Sequence, residues 1–394
     1  MSATAYDLVV VGGGINGVGV AQAAAASGYS VLLLEKQAIA AGTSSKSSKL
    51  IHGGLRYLES YEFSLVAESL RERALLLKLA PELVQLQNFY LPLYQRTRRG
   101  PALIRTGLSL YYLLSGLNPD ARFATVGRAH WDKLQGLRTE GLRAVFRYTD
   151  ARTDDAQLTR AVMRSAIDLG ADLACPAQFT GAQLTTAGCE ITYQENGRAH
   201  SVRSQMLINA AGPWVNHVNQ LMHPTVKQIP VELVQGTHIE VPGQLGNEFY
   251  YVESPRDGRA AFVMPREGRL IVGTTETRYR DHPDQVHALA AEETYLLNVL
   301  GYYFPAFRHL RRSDLLDSWA GLRVLPAGEG HAFHRSRETI LHPDQPDRPR
   351  LISIYGGKLT SYRATAAKLM EQIKAWLPDR QTRGDTRQLP LHPD

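Results

Sequence analysis

A chain of 394 residues is too long for one ordinary hydrophobic core and about right for two units, and with 44% hydrophobic and 21% charged residues it is not a disordered chain. Lys and Arg number 44 against 38 Asp and Glu, a formal charge of +6; that mild excess favours anionic small molecules or an anionic membrane surface, and the lack of any Lys/Arg block argues against a nucleic-acid partner. Two cysteines, Cys175 and Cys189, make neither a disulfide framework nor a metal-ligand spacing, and read as buried free thiols in a reducing cytoplasm.

The opening MSATAYDLVVV has no basic n-region, so no secretory leader is expected. The apolar stretch from Leu8 to Leu34 is broken by glycines and by Asn16, Gln22 and Ser27, and no other run approaches ~20 apolar residues, so no bilayer span is expected. The stretch reads as strand (YDLVVVG), glycine turn with an alanine-rich helix, and second strand (YSVLLLE). Gly12, Gly14 and Gly17 fit G-x-G-x-x-G, with Asn16 in the same turn. Gly12 suits the tight turn, Gly14 lets a pyrophosphate approach the backbone, and Gly17 lets helix pack on strand. The helix N-terminus offers N–H groups to the anion. Glu35 sits where a carboxylate would bind ribose hydroxyls, which favours FAD or NAD over NADP. The bland alternative is an ordinary glycine-rich strand-to-helix turn.

An NAD enzyme would continue with further strand–helix units. Here Thr43, Ser44, Ser45, Ser47 and Ser48 follow, then Leu50, His52, Gly53 and Gly54, and then Arg56 and Tyr57. Hydroxyls and glycine N–H groups suit a flavin ring, which needs polar edges and little side-chain bulk beside it. Residues 63–80 read as an amphipathic helix stopped by Pro81, its charges Glu68, Arg71, Glu72 and Arg73 forming a solvated face. Residues 88–117 begin basic and turn apolar and aromatic. They read either as a core helix with a basic entry loop or as a peripheral membrane contact, with Arg96, Arg98, Arg99 and Arg105 at lipid headgroups. A capped helix follows from ARTDDAQL, then a small β-meander ending in the turn at Gly212. Regularly spaced strands from Gln228 to Leu316 predict an antiparallel sheet, with a helix over 290–300. Strand, Gly356-Gly357 turn and helix close the pattern, with Leu359 and Thr360 in the turn, a second place where a helix N-terminus meets the flavin.

Taken together, VVVGGGINGVGVAQAAAASGYSVLLLEK, SSKLIHGGLRYLE, YTDARTDDAQL, LINAAGPWV, VQGTHIEV, IVGTTE, WAGLRVL and IYGGKLTSYR resemble, in order and over nearly the whole chain, the FAD-dependent glycerol-3-phosphate dehydrogenases of the D-amino-acid-oxidase-like flavoprotein superfamily. The resemblance implies oxidation of sn-glycerol 3-phosphate to dihydroxyacetone phosphate by hydride transfer to FAD, with electrons passed to a membrane quinone. It also implies a small phosphorylated polyol as substrate and a peripheral place on the cytoplasmic membrane face, and it returns the chain to the dinucleotide at Gly212. The motif departs from the family at Glu276, where Asp is common after Gly-Thr-Thr, and at Val324, where Pro is common. Many relatives also continue past the position of Asp394 into a helical domain.

A phosphate dianion calls for Arg and Lys, and Arg56, Arg323 and Lys358 each stand beside glycines within a family motif. His238 has an ordinary pKa suited to proton transfer and is the expected base, although a lone strand histidine is more often structural. Arg323 is the alternative group at the hydroxyl, and Thr274 is expected to bind substrate. The expected architecture is α/β. A discontinuous Rossmann-like FAD-binding domain takes residues 1–87, 148–227 and 317–380, a mainly antiparallel substrate-binding domain takes 88–147 and 228–316, and 381–394 form a tail. The rivals are oxidation of an amine or another 2-hydroxy compound on the same scaffold, and a non-catalytic flavin-binding protein.

Overall fold

Strand Ala5–Val11 carries Leu8, Val9 and Val10 wholly buried, so it needs cover on both faces. In the computed structural model, which describes residues 5–327 and 339–393, it lies inside a mostly parallel sheet. Residues 1–4 of the stretch read for a leader, 328–338 of the third FAD-domain segment and 394 of the tail lie outside the described residues. The sheet runs Asp172–Ala174, Val31–Leu34, Ala5–Val11, Arg198–Asn209, all parallel. The last of these strands is long and serves two further neighbours. Its first half pairs antiparallel with Gly188–Glu195 in the expected meander, and its end pairs parallel with Leu351–Tyr355.

Helix Ile15–Ala26 is buried almost all round, as a helix between others must be. It packs against Asp155–Asp168 and Tyr362–Ile373. A Cβ on Gly19 would stand 2.6 Å from the Tyr362 ring, so only glycine admits this approach. The residues after 380 dock back onto the same unit. Arg383 and Gly384 donate to the Ala26 carbonyl and Leu391 to that of Leu79.

The second sheet is mainly antiparallel, as expected, with Phe249–Glu253 beside Val84–Tyr94 in a parallel pairing. Its core joins Ile239, Val263 and Val272 to helix Ala290–Tyr303. Three strands fall differently from the sequence reading. Strand Asp317–Pro326, grouped there with the FAD-binding segments, pairs along its whole length with Val231–Pro242 in this second sheet. Strands Val84–Tyr94 and Leu142–Thr153 form one ladder that runs straight through the boundaries drawn at 88 and 148.

Helix Phe63–Leu79 matches its expected span, but only part of its charge is on a solvated face: Arg71 is exposed and Glu68 half-buried. Glu72 and Arg73 are buried. Glu72 binds Arg363, and Arg73 reaches Asp150 at 2.6 Å. Tyr111 also donates to Asp150, at 2.8 Å, and its hydroxyl accepts the N–H of Gly53. The apolar part of 88–117 is helix Pro101–Leu114, starting on proline. It is not a core helix: Leu108 and Tyr111 are its buried residues, whereas Leu103 and Leu113 are 62% and 61% exposed. Arg99, expected at headgroups, is held by Glu59 and Glu253. Among the described residues no helix is long and apolar enough to cross a membrane. Both cysteines are free, Cys189 buried and Cys175 half-buried.

Removing one partner of a buried ion pair strands the other charge. Arg73→Met is therefore expected to lower the unfolding free energy by about 3–5 kcal/mol. Urea titration of the variant checks this, and a loss under about 1 kcal/mol would show that Asp150 finds other compensation.

Candidate active site

Between the two sheets lies a cavity of about 550 Å³, within the roughly 300–1,000 Å³ usual for ligand sites. One end is the turn from strand Ala5–Val11 into helix Ile15–Ala26, where Gly12, Gly14 and Asn16 line the wall. A Cβ on Gly17 would stand 1.8 Å from the Gly12 carbonyl oxygen, so that glycine sets how tightly the turn closes. Glu35 also lines the cavity, and its carboxylate accepts N–H groups from Gly13 and Gln37 at 2.7 and 2.8 Å.

The hydroxyl-rich run 43–48 is stitched into every wall. Thr43 donates to the Leu322 carbonyl at 3.0 Å, and Ser44 accepts the first helical N–H, that of Ile15, at 2.9 Å. Ser47 donates to Asp155 through both N–H and hydroxyl, and Lys49 binds the same carboxylate at 2.6 Å. Ser48 lies 2.9 Å from His238 Nε2. The closing glycine turn meets the opening one, because Asn16 Nδ2 donates to the Gly356 carbonyl. The His52 N–H donates to the Thr360 hydroxyl. Thr43, Ser44, Leu50, His52, Gly212, Gly356, Gly357, Leu359 and Thr360 all line the cavity. Three residues expected at the cofactor do not. Gly17 packs beneath the turn, the Ser45 hydroxyl turns back to the Gly42 carbonyl, and Gly53 is buried against Tyr111.

The other end gathers the expected cations. Arg56 places both terminal nitrogens 3.2 Å from Glu276 Oε1, and Arg323 lies 3.7 Å from the same oxygen. Arg323 also donates to the Thr274 hydroxyl at 3.2 Å. Lys358 Nζ stands 3.9 Å from the Tyr57 ring centre, a cation–π contact. Thr274 and Glu276 line the cavity from the turn between strands Arg269–Gly273 and Thr277–Tyr279. The intervening Thr275, with Thr277, points the other way and donates to buried Glu292, which also accepts from Gln235 and Thr237.

His238 shares the wall, but its environment is not the one an ordinary imidazole would need. It is 1% exposed and stacks on Trp319. Burial, then the charges of Arg323 and Lys49, push its pKa down to about 3, so the ring is neutral at pH 7. Its Nδ1 has no hydrogen-bond partner among the described residues, and Ser48 links Nε2 to the cavity.

Sequence reasoning missed the pairing of Glu276 with Arg56 and Arg323, and Asp155 as the anchor of the hydroxyl run. It also missed the outer rim, where Lys36 binds Asp284 at 2.6 Å and covers the Trp214 ring, beside His217 and His282, whose rings meet edge to face. These contacts join distant segments and leave no spacing to read. The Asp-Asp pair of TDARTDD, at the head of a helix, was the one available signal.

The family model for FAD dependent oxidoreductases matches residues 7–369. D-erythritol 1-phosphate dehydrogenase of Brucella abortus (strain 2308) is 36% identical, over 98% of this chain and 76% of its own length. Glycerol-3-phosphate dehydrogenase of Pseudomonas aeruginosa is 38% identical, over 94% of this chain and 72% of its own. The crystal structure of glycerol-3-phosphate dehydrogenase from Bacillus halodurans complexed with FAD superposes with a TM-score of 0.76 at 27% identity, over 99% of this chain and 68% of that one.

Because the folded His238 pKa lies near 3 against an ordinary 6.5, the unfolded chain binds a proton that the folded chain refuses between those values. Stability is therefore lost as pH falls below 6.5, at about 1.4 kcal/mol per pH unit for this one group. His238→Gln should flatten the acid limb by that slope in unfolding titrations at pH 7, 6 and 5; parallel limbs would refute it.

Proposed function

The chain belongs to the FAD dependent oxidoreductase family, and from that premise we propose that it oxidises the secondary alcohol of a polyol phosphate, sn-glycerol 3-phosphate to dihydroxyacetone phosphate. One observation carries the reading: Arg56, Arg323 and Lys358 converge on the same cavity whose far end is the glycine turn. The two relatives with polyol phosphates in their names support it.

FAD suits the residues present, since backbone donors at a helix N-terminus, an acid beside them and a wall of hydroxyls and glycines match its pyrophosphate, ribose and ring. Gly12, Gly14, Asn16 and Glu35 would hold the nucleotide end, and Thr43, Ser44, Leu50, His52, Gly212, Gly356, Gly357, Leu359 and Thr360 the flavin end. When bound, FAD supplies the hydride acceptor. The first sheet thus serves the cofactor and the second the substrate.

Arg56, Tyr57 and Lys358 grip the phosphate, and this remote binding holds the reacting carbon in place. Arg323 and Thr274 orient the hydroxyl. Its proton leaves through Ser48 to His238 Nε2, the polar link from the cavity to the buried imidazole. Bringing an anion beside Arg323 relieves part of the repulsion that depresses His238, so it becomes a better base once the site is filled. Electrons then pass to a quinone, with the exposed Leu103 and Leu113 of helix Pro101–Leu114 resting on the membrane beside Arg105. A second reading, D-erythritol 1-phosphate as the preferred substrate, is favoured by the relative of that name.

The test mixes the purified yellow protein anaerobically with glycerol 3-phosphate, D-erythritol 1-phosphate, glycerol, glycine and lactate. Loss of flavin absorbance with polyol phosphates alone is expected, and the faster of the two decides between the readings. Bleaching by glycine or lactate would overturn the proposal, and bleaching by none would favour a non-catalytic flavin protein. Arg56→Ala should raise KM at least about tenfold, the lower end of one charged hydrogen bond; an unchanged KM would count against the phosphate grip.

A further inference from the structure

Glu276 is a carboxylate set where the proposed substrate brings its own negative charge. Its Oε1 takes both terminal nitrogens of Arg56 at 3.2 Å and stands 3.7 Å from Arg323. Its side chain is 10% exposed, so solvent screens these contacts poorly. Nor can it swing aside easily. The flanking Thr275 and Thr277 are tied to buried Glu292 at 2.7 and 2.6 Å, and the Glu276 carbonyl accepts from Arg259 at 2.9 Å. The backbone is thus fixed on both sides, and the carboxylate faces the cavity.

We propose that Glu276 is an internal counter-ion that competes with the incoming anion for Arg56 and Arg323, and so sets how much negative charge the substrate site accepts. The inference rests on the reading of this cluster as the anion grip. Without an anion bound, the carboxylate keeps the two guanidinium groups paired and aimed. It also cancels one of the positive charges that Arg56, Arg323 and Lys358 bring. Glu276 is in this way a specificity-determining residue: it weakens every anion in proportion to the charge the anion brings, and so moderates the preference of the three cations for a dianion.

The sign of the effect separates this role from a merely structural one. Glu276→Gln keeps the size and a hydrogen-bond acceptor but removes the charge. If Glu276 only positions the arginines, the variant binds anions more weakly. If it competes with them, the variant binds more tightly. The measurement is calorimetric titration of the FAD-loaded protein with inorganic phosphate and with acetate. Glu276→Gln should bind phosphate roughly tenfold more tightly than the parent, a modest fraction of the Coulomb interaction between charges this close. Its affinity for phosphate should rise by more than its affinity for acetate, because the repulsion removed scales with the charge of the anion. Glu276→Asp, whose carboxylate is withdrawn by one methylene, should move the same way by about threefold. That variant decides the matter if the Gln protein does not fold.

Unchanged or weaker phosphate binding in a folded variant, judged by its flavin spectrum and melting curve, would overturn the proposal. Phosphate affinity is read without turnover. Tighter binding in a protein that oxidises no polyol phosphate would therefore support Glu276 as counter-ion while rejecting the proposed substrate. Oxidation of polyol phosphates with phosphate affinity unaltered by Glu276→Gln would reject the counter-ion alone.

Discussion

The site depends on a single buried carboxylate that never touches the cavity wall. Asp155 is wholly buried at the first turn of helix Asp155–Asp168, where the helix dipole favours an anion. It satisfies itself on Ser47 and Lys49, two residues of a segment with almost no regular structure of its own. Once that segment is pinned, its other hydroxyls fall into place. Ser44 takes the first N–H of helix Ile15–Ala26, Thr43 reaches strand Asp317–Pro326, and Ser48 meets His238. One short stretch thereby fixes the nucleotide end, the second sheet and the imidazole relative to one another. An unpaired Asp155 would be prohibitively costly at this depth, so the register of the loop is strongly specified.

Electrostatic compensation governs the other end in the same way. Cations are concentrated in a partly dry cleft, and each is given something to answer it: Glu276 for Arg56 and Arg323, the Tyr57 ring for Lys358. His238 has no such compensation, and burial among positive charges holds it neutral. A cluster of this kind is poised for an anion, because an incoming negative charge improves the state of the arginines, the lysine and the imidazole together. The costs of assembling like charges are met by folding, ahead of any ligand, which is what preorganisation means in physical terms.

Legibility in the sequence followed the range of the interactions. The Gly12–Gly17 turn, its flanking strands and Glu35 are set by contacts within about one strand–helix–strand unit, and spacing alone located them. Arg56, Arg323 and Lys358 were singled out through the family motifs that hold them, with glycines beside each. What failed was long-range. Strand Asp317–Pro326 has the same period-two pattern whichever sheet it joins, so nothing local could assign it to Val231–Pro242. The hydroxyl run was read only as a wall for a flavin, because its protein partners at 155, 238 and 322 are far along the chain. Glu72 and Arg73 looked like an outer face because a charge is normally exposed; only Arg363 and Asp150 bring them inside. The His238 pKa belongs to the assembled site and to no residue type.

Glu292 shows how far such positioning extends behind the visible site. It is buried and accepts from Gln235, Thr237, Thr275 and Thr277, so that strand Val231–Pro242, strand Thr277–Tyr279 and the turn that precedes the latter share one carboxylate. Gly236 and His238 stand on one of those strands, Thr274 and Glu276 on the turn, and each alternates with a residue held by Glu292. The faces are therefore coupled: satisfying the buried carboxylate on one side forces the arginine partner and the imidazole onto the other. A residue that touches no ligand fixes the geometry at which charge is presented, and this follows from strand alternation plus the obligation to satisfy a buried anion.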